Sequence, residues 1–485
     1  QDNPENPKVG VLFYRSHYLA GNTLVIDELC QALQAQGLNP IPFYVSSLRD
    51  PDVQEQMIQQ LQRHFQTISQ EPVKLILNTT SFSLAQLQSH GIGEDFIPLW
   101  QQLDIPVLQV ILSGGTQAQW QESLQGLNPR DLAMNVALPE VDGRIITRAI
   151  SFKALQEWHE TLQTPVMAYQ SVRDRLDFVA ELSKNYLNLS QTPPFERKIA
   201  IILANYPNKD GRLANGVGLD TPASCLNLLH ALKEAGYIVE NLPETTDELI
   251  QRLTSGITND LESQEHRQIY QFLPLEAFQT YFQSLPNTVQ QPIRDRWSNH
   301  LSSLLSEPAT NLPPFLRGVG GISFPQKVEG IPIPGIQLGN IFVGIQPSRG
   351  YDLDPSLNYH APDLEPPPHY LAFYHWLKTH FQAQALIHLG KHGNLEWLPG
   401  KSIALSATCY PEITLGAIPH FYPFIVNDPG EGSQAKRRSQ AVIIDHLTPP
   451  LTRAELYGDL QQVENLIDEY YEAQSLDPKR LPLIR

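Results

Sequence analysis

Cysteine is scarce in this sequence. Only three cysteines, Cys30, Cys225 and Cys409, occur among 485 residues, and they lie far apart. An odd, dispersed set argues against a disulfide framework and for a reducing compartment, so we expect a cytoplasmic protein. The absence of any C-x-x-C pair also excludes the usual cysteine ligand sets of structural zinc and of iron–sulfur clusters.

Basic residues and long apolar runs are also in short supply. Lys and Arg total 34 against 51 Asp and Glu, which gives a net charge of −17. This balance disfavours binding to nucleic acid or to an anionic membrane surface. No apolar run approaches the roughly 20 residues of a transmembrane helix. The polar start QDNPENPK does not resemble a signal peptide.

Nucleotide-binding and zinc-protease motifs are missing as well. The run LEWLPGKS resembles a Walker A loop, but Leu395 stands where the motif requires its first glycine. No other G-x-x-x-x-G-K-S/T occurs, so we expect any ATP hydrolysis to take place on another chain. The zincin motif H-E-x-x-H is also absent from the sequence.

The sequence does contain a regular alternation of strand and helix patterns. Short apolar runs separated by amphipathic stretches are typical of βαβ units and a parallel sheet. A first series of such runs occupies residues 9–14, 41–45, 73–77 and 107–112. A second series opens at 198–203 and resumes with NIFVGI and ALIHL.

We therefore predict an α/β fold with two related Rossmann- or flavodoxin-like parallel-sheet units. The ends of two helices support the relation: QALQAQG and HALKEAG place Gly37 and Gly236 at the same C′ position. Chance similarity of two βαβ openings would explain the same match. The predicted division is a first domain over 1–150, a helical linker over 151–197, the second unit over 198–257, a helical insertion over 258–317, and a continuation over 318–485 that ends in a long amphipathic helix near 451–472.

Loops that follow parallel strands form the usual ligand crevice of such sheets. YRSHYLAGNT places Arg15 and His17 directly after the first strand, where Arg15 could contact an anion or a carboxylate. ANYPNKDGRLANGVGLDTP places Asn205 after the first strand of the second unit. A polar loop with a helix cap and a flexible turn, respectively, are the plainer interpretations of these two segments.

Histidine is concentrated towards the end of the chain, with eight of the 15 histidines between residues 360 and 446. At the centre of this region, in ALIHLGKHGNLEWLPGKS, an apolar strand is followed by His388, His392 and Glu396 at four-residue spacing. Imidazole and carboxylate groups bind divalent first-row metals and transfer protons. Structural histidines at a strand end would give the same pattern, because Gly390 and Gly393 favour a loop over a helix.

Two further segments lie near this centre. The segment 340–376 is aromatic and rich in histidine, and its Tyr351 and His360 could wall a flat macrocycle, although core packing is the commoner fate of such residues. NDPGEGSQAKRRS places Gly430, Gly432 and Ser433 before a predicted helix that bears Arg437. A carboxylate could bind at that helix start, or the charges could simply face solvent.

With these motifs, the chain resembles the large subunit of the aerobic, ATP-dependent cobaltochelatase of cobalamin synthesis, the CobN family. The matching stretches are LFYRSHYLAGNT, MNVALPEVDGRI, ILANYPNKDGRLANGVGLDTPAS, GNIFVGIQPSRGY, HLGKHGNLEWLPGK and NDPGEGSQAKRRS. They extend from the first strand to the last helix, although the family is longer at both ends. The magnesium chelatase large subunit shares the layout H-x-G-x-H-G-x-x-E, but Lys391, Asn394 and Trp397 fit the cobalt form better.

The resemblance implies insertion of Co²⁺, as the substrate metal, into hydrogenobyrinic acid a,c-diamide, with ATP and Mg²⁺ used on two AAA+-type partner subunits. It implies that Glu396 is the catalytic base or metal-delivery carboxylate and that His388 and His392 are metal or proton-relay partners. It also implies contacts to the corrinoid from a wider set of residues, namely Arg15, His17, Asn205, Lys391, Lys401, Tyr351, His360 and Arg437. We expect the scarce basic residues to be concentrated in the cleft.

Three alternatives remain open from the sequence. The first is a magnesium chelatase large subunit, which would insert Mg²⁺ into protoporphyrin IX. The second is a tetrapyrrole-binding module without catalytic activity, since ATPase motifs are missing. An unrelated metallohydrolase is the third, and it would require a metal that is bound stably without any macrocycle.

Overall fold

The computed structural model describes ten stretches of the chain and three isolated positions. These are residues 6–67, 72–84, 99–206, 208–216, 218–260, 267–298, 330–350, 361–390, 393–424 and 429–445, together with Leu466, Ile467 and Tyr470. Residues 1–445, which contain both α/β units, form one compact body, and residues 446–485 form another. Most of the helix predicted near 451–472 lies outside the described residues, although Leu466 and Ile467 are helical.

The first sheet has six strands in the order β2-β1-β3-β4-β5-β6. All neighbours in it are parallel except β5 and β6, which form an antiparallel pair. The strands are β1 (Lys8–Tyr14), β2 (Asn39–Val45), β3 (Val73–Asn78), β4 (Val107–Leu112), β5 (Ile145–His159) and β6 (Thr164–Ser171).

The second large sheet has the order β12-β13-β7-β14-β15-β16, in which β12 is antiparallel to its neighbour and the other pairs are parallel. Its strands are β7 (Ile199–Leu203), β12 (Gly335–Leu338), β13 (Ile341–Ile345), β14 (Ala385–Leu389), β15 (His420–Pro423) and β16 (Val442–Ile444). Two short antiparallel pairs accompany it, β8 (Asn215–Gly216) with β9 (Leu219–Asp220), and β10 (Phe272–Pro274) with β11 (Gly330–Pro332).

Within the ten described stretches the helices, with π and 3₁₀ turns left unnumbered, are α1 (Arg15–Leu19), α2 (Leu24–Ala35), α3 (Pro51–Thr67), α4 (Leu99–Leu103), α5 (Gln117–Glu122), α6 (Pro129–Leu132), α7 (Leu138–Val141), α8 (Arg173–Gln191), α9 (Thr221–Glu234), α10 (Thr246–Ser255), α11 (Leu275–Ser284), α12 (Asn287–Arg296), α13 (Pro368–Thr379), α14 (Tyr410–Leu415) and α15 (Pro429–Arg438). A π-helical turn over Ala133–Ala137 joins α6 to α7. In the part of the chain that the structure describes, none of these helices is long and apolar enough to cross a membrane.

The two sheets share one topology, which confirms the predicted pair of related α/β units. In each, the five parallel strands follow the order 2-1-3-4-5 when they are numbered along their own unit. The first strands, β1 and β7, therefore lie inside their sheets, and the order reverses beside each of them. Gly37 and Gly236 follow α2 and α9 with φ of +77° and +88°, the left-handed conformation that favours glycine after a helix end.

Both sheets are covered on two faces, which explains their continuous apolar strands. In the first unit, α2 and α8 pack on one face, while α3 and α4 pack on the other. In the second unit, α9 and α10 cover one face, and α11, α12 and α13 cover the other. The loops at the strand ends therefore remain as the available places for a ligand.

The predicted helical linker is wrong in its first half. Residues 151–159 belong to β5 and residues 164–171 to β6, and the two strands pair from Ser151 with Ser171 to His159 with Thr164. The helical pattern of SFKALQEWHETL is overridden because its partner TPVMAYQS supplies cross-strand contacts that sequence periodicity does not register. The second half is the predicted helix, α8. The insertion predicted over 258–317 contains α11 and α12, and its last part lies outside the described residues.

A buried ionic cluster joins the two units. Glu412 on α14 accepts hydrogen bonds from Arg148 of β5 at 2.6 Å and from Arg175 of α8 at 2.6 and 2.7 Å. Both arginines and the carboxylate are buried. Burial by itself would raise the pKa of Glu412, but the two guanidinium groups outweigh that effect and hold the pKa below its ordinary value.

We predict that Glu412→Gln lowers the free energy of unfolding by about 3 kcal/mol or more, because it leaves the buried Arg148 without a counter-charge and Arg175 with only the half-exposed Asp174. Chemical denaturation at pH 7 measures this change. The exposed pair of Arg173 and Asp177 offers a matched control, since Asp177→Asn should cost less than about 1 kcal/mol. Equal effects of the two substitutions would contradict the role given to the cluster.

The same cluster predicts a pH dependence of stability. Because the pKa of Glu412 is lower in the folded chain, its contribution is fully present above about pH 4.3, the pKa of an unperturbed glutamate. The contribution is lost as the pH falls through the folded pKa. The stability difference between the wild type and Glu412→Gln should therefore narrow below that pH in denaturation curves.

Candidate functional site

The loops at the carboxyl ends of the two sheets contact each other. Trp120, in the segment after β4, donates from Nε1 to the carbonyl of Ala404 at 2.7 Å. The amide of Ser402 donates to the carbonyl of Leu124 at 2.8 Å. The ligand crevice of the second sheet is consequently bordered by the strand-end loops of the first.

Glu396 lies in this region, in a 3₁₀ turn over Leu395–Trp397, and is fully buried. Its Oε1 accepts from the amide of Gly393 at 3.3 Å and from the hydroxyl of Tyr422 at 3.4 Å. A carboxylate buried in a loop beyond a strand end is uncommon in packing and typical of a functional group.

Two buried arginines fix the loop that carries Glu396. Arg438 donates to the carbonyls of Glu396, Leu398 and Lys401, the last two at 2.7 and 3.0 Å. Arg349 donates to the carbonyl of Trp397 at 3.1 Å. Burial lowers the pKa of Arg438 to about 10, although the nearby carboxylate of Glu396 opposes the shift. The guanidinium of Arg438 stays charged at neutral pH and adds positive potential beside Glu396.

His388 on β14 lies in a chain of buried hydrogen bonds. Its Nδ1 is 2.7 Å from Nε2 of His420, at the start of the neighbouring strand β15. Its Nε2 is 2.9 Å from the hydroxyl of Tyr374 on α13. His420 Nδ1 is in turn 3.1 Å from the carbonyl of Ser439. Burial lowers the pKa of His388 well below its ordinary value and that of His420 to about 4, so both rings are neutral at pH 7.

The chemistry of the end group fixes the direction of every bond in this chain. A carbonyl only accepts, so His420 donates from Nδ1 to Ser439 and its Nε2 accepts from His388. His388 then carries its proton on Nδ1, and its Nε2 accepts from the hydroxyl of Tyr374. The oxygen of Tyr374 accepts from Nε2 of Gln346 at 2.8 Å. Gln346 Oε1 accepts from the amide of Asn394 at 3.1 Å, which connects the chain to the turn before Glu396.

Three of the predicted site residues are already engaged by other groups of the chain. Both ring nitrogens of His388 are engaged, so it offers no lone pair to a metal in this arrangement. Lys401 uses all three protons on the carbonyls of Trp120, Gln121 and Ser123, at 2.6, 3.1 and 2.8 Å, and so caps the end of α5. Arg437 forms a two-bond ion pair with Glu140 of α7, at 2.9 and 2.8 Å. These basic side chains hold the loops together instead of awaiting a ligand.

Three other predicted residues have freer surroundings. Arg15 is exposed directly after β1. His17 packs edge-on against Tyr169 at 5.5 Å, and its pKa is lowered by burial and by the charge of Lys153. Asn205 follows β7 and is only 5% exposed, yet neither its Nδ2 nor its Oδ1 has a hydrogen-bond partner within the part of the chain that is described.

The unsatisfied amide of Asn205 lies at the same edge of the second sheet as the loop that carries Glu396. In the sheet, Leu203 is level with both Ile345 and Leu389, so the residues after these three positions emerge side by side. Asn205 therefore stands at the carboxyl end of β7, between the loops of Gln346 and Gly390. A buried amide without a partner requires a ligand or water to complete its hydrogen bonds.

Four predicted site residues, Lys391, His392, Tyr351 and His360, lie outside the described residues. Across the stretches that are described, no group of three or more His, Cys, Asp or Glu side chains could hold a metal ion.

Sequence reasoning missed the residues that support the site, namely Gln346, Arg349, Tyr374, His420, Tyr422 and Arg438. Some carried a recognisable signal. His420 and Tyr422 alternate along HFYP, so they point to one face of a strand, and Tyr370 and Tyr374 are four apart on α13. Gln346 directly follows an apolar strand. Assigning them required the strand order, which places β15 beside β14.

We predict that the rings of His388 and His420 remain neutral from pH 7 to pH 5, each with its proton on Nδ1. Long-range ¹⁵N–¹H spectra of histidine-labelled protein report this tautomer directly, and His420→Gln assigns the signals. Since unfolded histidine has a pKa of about 6.5, the unfolded chain takes up more protons in this range. Stability should therefore fall as the pH drops from about 6.5 towards 4. Titration of the His388 or the His420 ring near pH 6.5 would contradict the arrangement.

Comparisons with known proteins place the chain in a family. The CobN/Magnesium Chelatase family matches residues 1–485. The aerobic cobaltochelatase subunit CobN of Pseudomonas aeruginosa is 48% identical over 479 residues, which cover 99% of this chain and 36% of that protein. A magnesium-chelatase subunit of Chlorobaculum parvum is 30% identical over 475 residues, which cover 96% of this chain and 34% of that protein.

A solved structure agrees with these matches. The catalytic subunit of cobaltochelatase from Mycobacterium tuberculosis superposes with a TM-score of 0.75 at 36% identity, covering 99% of this chain and 38% of that one. The chain thus spans about a third of the length of the curated relatives cited above. With the family match over every residue and two related sheets of the expected topology, the chain belongs to the CobN/magnesium chelatase family.

Proposed function

We propose that this chain is part of the large subunit of a cobaltochelatase, which inserts Co²⁺ into a corrinoid. The observation that carries the proposal is the buried carboxylate of Glu396, held beyond β14 at the sheet edge where the unsatisfied amide of Asn205 also lies. Greater identity to a cobalt-type than to a magnesium-type relative, 48% against 30%, supports cobalt as the substrate metal.

The proposed substrate is hydrogenobyrinic acid a,c-diamide, as the cobalt-type motifs imply. Because the sequence has no phosphate-binding loop, we assign ATP hydrolysis to partner subunits of the AAA+ type. Arg15, His17 and Asn205 remain the proposed contacts to the macrocycle among the residues that the structure describes. Lys391, Tyr351 and His360 are proposed on the motifs alone.

Metal insertion requires that the ion lose its waters and that the ring nitrogens lose their protons. A carboxylate in a buried site attracts a dication more strongly than one in water, and it can accept a proton from the ring. The bonds from Gly393 and Tyr422 orient Glu396, while Arg438 fixes the backbone of its turn. We therefore propose Glu396 as the proton acceptor or metal-delivery ligand and His392 as its neighbour in that step.

His388 takes a positioning role in this proposal. Its neutral ring links β15 to Tyr374 and Gln346, and Gln346 accepts from the amide of Asn394 in the turn before Glu396. A neutral chain of this kind supports the turn without adding to the positive charge that Arg438 already places beside Glu396. The buried histidine therefore supports the site from behind.

A magnesium chelatase large subunit is the second candidate function. The relative from Chlorobaculum parvum aligns over 96% of this chain, so both activities are compatible with the same fold. If the macrocycle binds but no metal is inserted, the result would favour a tetrapyrrole-binding module without catalysis.

We predict that Glu396→Gln reduces metal insertion by roughly 100-fold or more, the effect of losing a general base. The assay requires the complete large subunit and its ATPase partners. Macrocycle affinity should change little, and the exposed Glu122→Gln on α5 provides the control. Retention of the insertion rate together with a lowered melting temperature would instead indicate that Glu396 only stabilises its loop.

We also predict tighter binding of hydrogenobyrinic acid a,c-diamide than of protoporphyrin IX. Absorbance titration of the purified chain with each macrocycle measures the two affinities. Asn205→Ala should weaken binding of the preferred ring, because it removes the buried amide. Preference for protoporphyrin IX would favour the magnesium candidate.

A further inference from the structure

A second cavity, of about 460 Å³, lies at the carboxyl ends of β1, β2 and β3 in the first sheet. Its lining comes from the segments after these strands: Tyr14 and Ser16, residues 46–49, and residues 81–84. The strand order reverses between β1 and β3, which is where open α/β sheets bind ligands. The equivalent place in the second sheet, beside β7 and β14, holds Asn205 and the Glu396 turn. The predicted site residues that the structure describes all lie outside the lining of this first-sheet cavity.

The charge of this first-sheet cavity is positive. Among the described residues, Arg49 is the only charged side chain in its lining. Its Nε donates to the carbonyl of Ser83 at 3.0 Å, and its terminal nitrogens meet no acceptor in the described stretches. Asp142 accepts a hydrogen bond from the hydroxyl of the lining residue Ser83 but does not itself line the cavity. Its charge is balanced by Arg144, whose Nη2 lies 2.6 Å from Oδ2 of Asp142. In a chain of net charge −17, a guanidinium with free donors selects an anion.

The lining also has hydroxyl groups and an apolar wall. The hydroxyls of Ser16 and Ser46 make no hydrogen bond within the described part of the chain, so they can donate to an oxyanion. Leu48 and Leu84 are buried at the wall, whereas Phe82 is 38% exposed. Phe82 lies below Arg49, with 5.7 Å between the guanidinium carbon and the ring centroid.

The backbone at Phe82 is strained. Its φ is +66°, the left-handed conformation that large side chains avoid. A hydrogen bond from its amide to the carbonyl of Met134 in the π-helical turn, at 2.9 Å, holds it there. Strain of this kind accumulates at ligand-binding positions, and here it presents an aromatic ring to the cavity.

We propose that the first-sheet cavity binds a small organic anion. Its carboxylate or phosphate meets Arg49 and the hydroxyls of Ser16 and Ser46, and its flat apolar body rests on Phe82. The anion has two chemical sources, a peripheral carboxylate of a tetrapyrrole or a separate aromatic acid. The site stands on its own residues and does not depend on the chelatase proposal.

Two fluorescent probes of one shape test the site, namely anionic 2-naphthoate and neutral 2-naphthamide. The chain should bind naphthoate about tenfold more tightly than naphthamide, since one charge-assisted hydrogen bond has this magnitude. Arg49→Gln should abolish that preference. Arg173→Gln, which removes an exposed arginine from α8, should retain it. Phe82→Gly should weaken both probes, because glycine accepts the backbone conformation but provides no ring.

Equal affinity for the two probes, or equal behaviour of Arg49→Gln and Arg173→Gln, would overturn the proposal. Circular dichroism of each variant confirms that the fold is intact. Competition then identifies the source of the anion. Displacement of naphthoate by hydrogenobyrinic acid a,c-diamide assigns the site to the periphery of the macrocycle, whereas simultaneous binding assigns it to a separate acid, and both results support the site.

Discussion

A carboxylate buried between two guanidinium groups joins the two sheets, and the geometry of the crevice depends on it. Glu412 comes from the second unit, whereas Arg148 and Arg175 come from the first. A buried charge cluster is sensitive to geometry, because its attraction exceeds the cost of desolvation only when every bond is made. The cluster therefore specifies one arrangement of the two units, the one in which their strand-end loops meet.

Around this cluster, the basic side chains stabilise loops. Lys401, Arg349 and Arg438 each donate to backbone carbonyls in irregular segments. Such segments have no ladder of their own, so their buried carbonyls need other donors. The sequence contains few basic residues, and we expected them to gather towards an anionic substrate. Three of these side chains, Arg349, Lys401 and Arg438, are instead buried in the framework that holds Glu396.

The sequence predicted the fold well where local patterns decide the outcome. Apolar runs located β1, β3, β4 and β7, and Gly37 and Gly236 marked two equivalent helix ends. It failed for the hairpin of β5 and β6, whose residues resemble a helix until their partner strand is known. For the candidate site, position was easier to predict than role. The motif located Glu396 after a buried strand, but nothing local distinguishes a lysine that meets a ligand from Lys401, which caps α5. Partners such as His420 depend on strand order, which one sequence does not encode locally.

The direction of the buried histidine chain has a consequence for the path of protons. Every bond in it points towards the carbonyl of Ser439, which cannot accept a proton to keep. A proton that enters at Gln346 or Tyr374 could be passed on only if both histidine rings changed the nitrogen that carries their proton. At the far end, the carbonyl of Ser439 would offer it no onward path. The buried hydrogen-bond chain behind the Glu396 turn therefore does not conduct protons away from the turn. If the crevice takes the proposed macrocycle, protons that the ring releases would need a path other than this chain of hydrogen bonds.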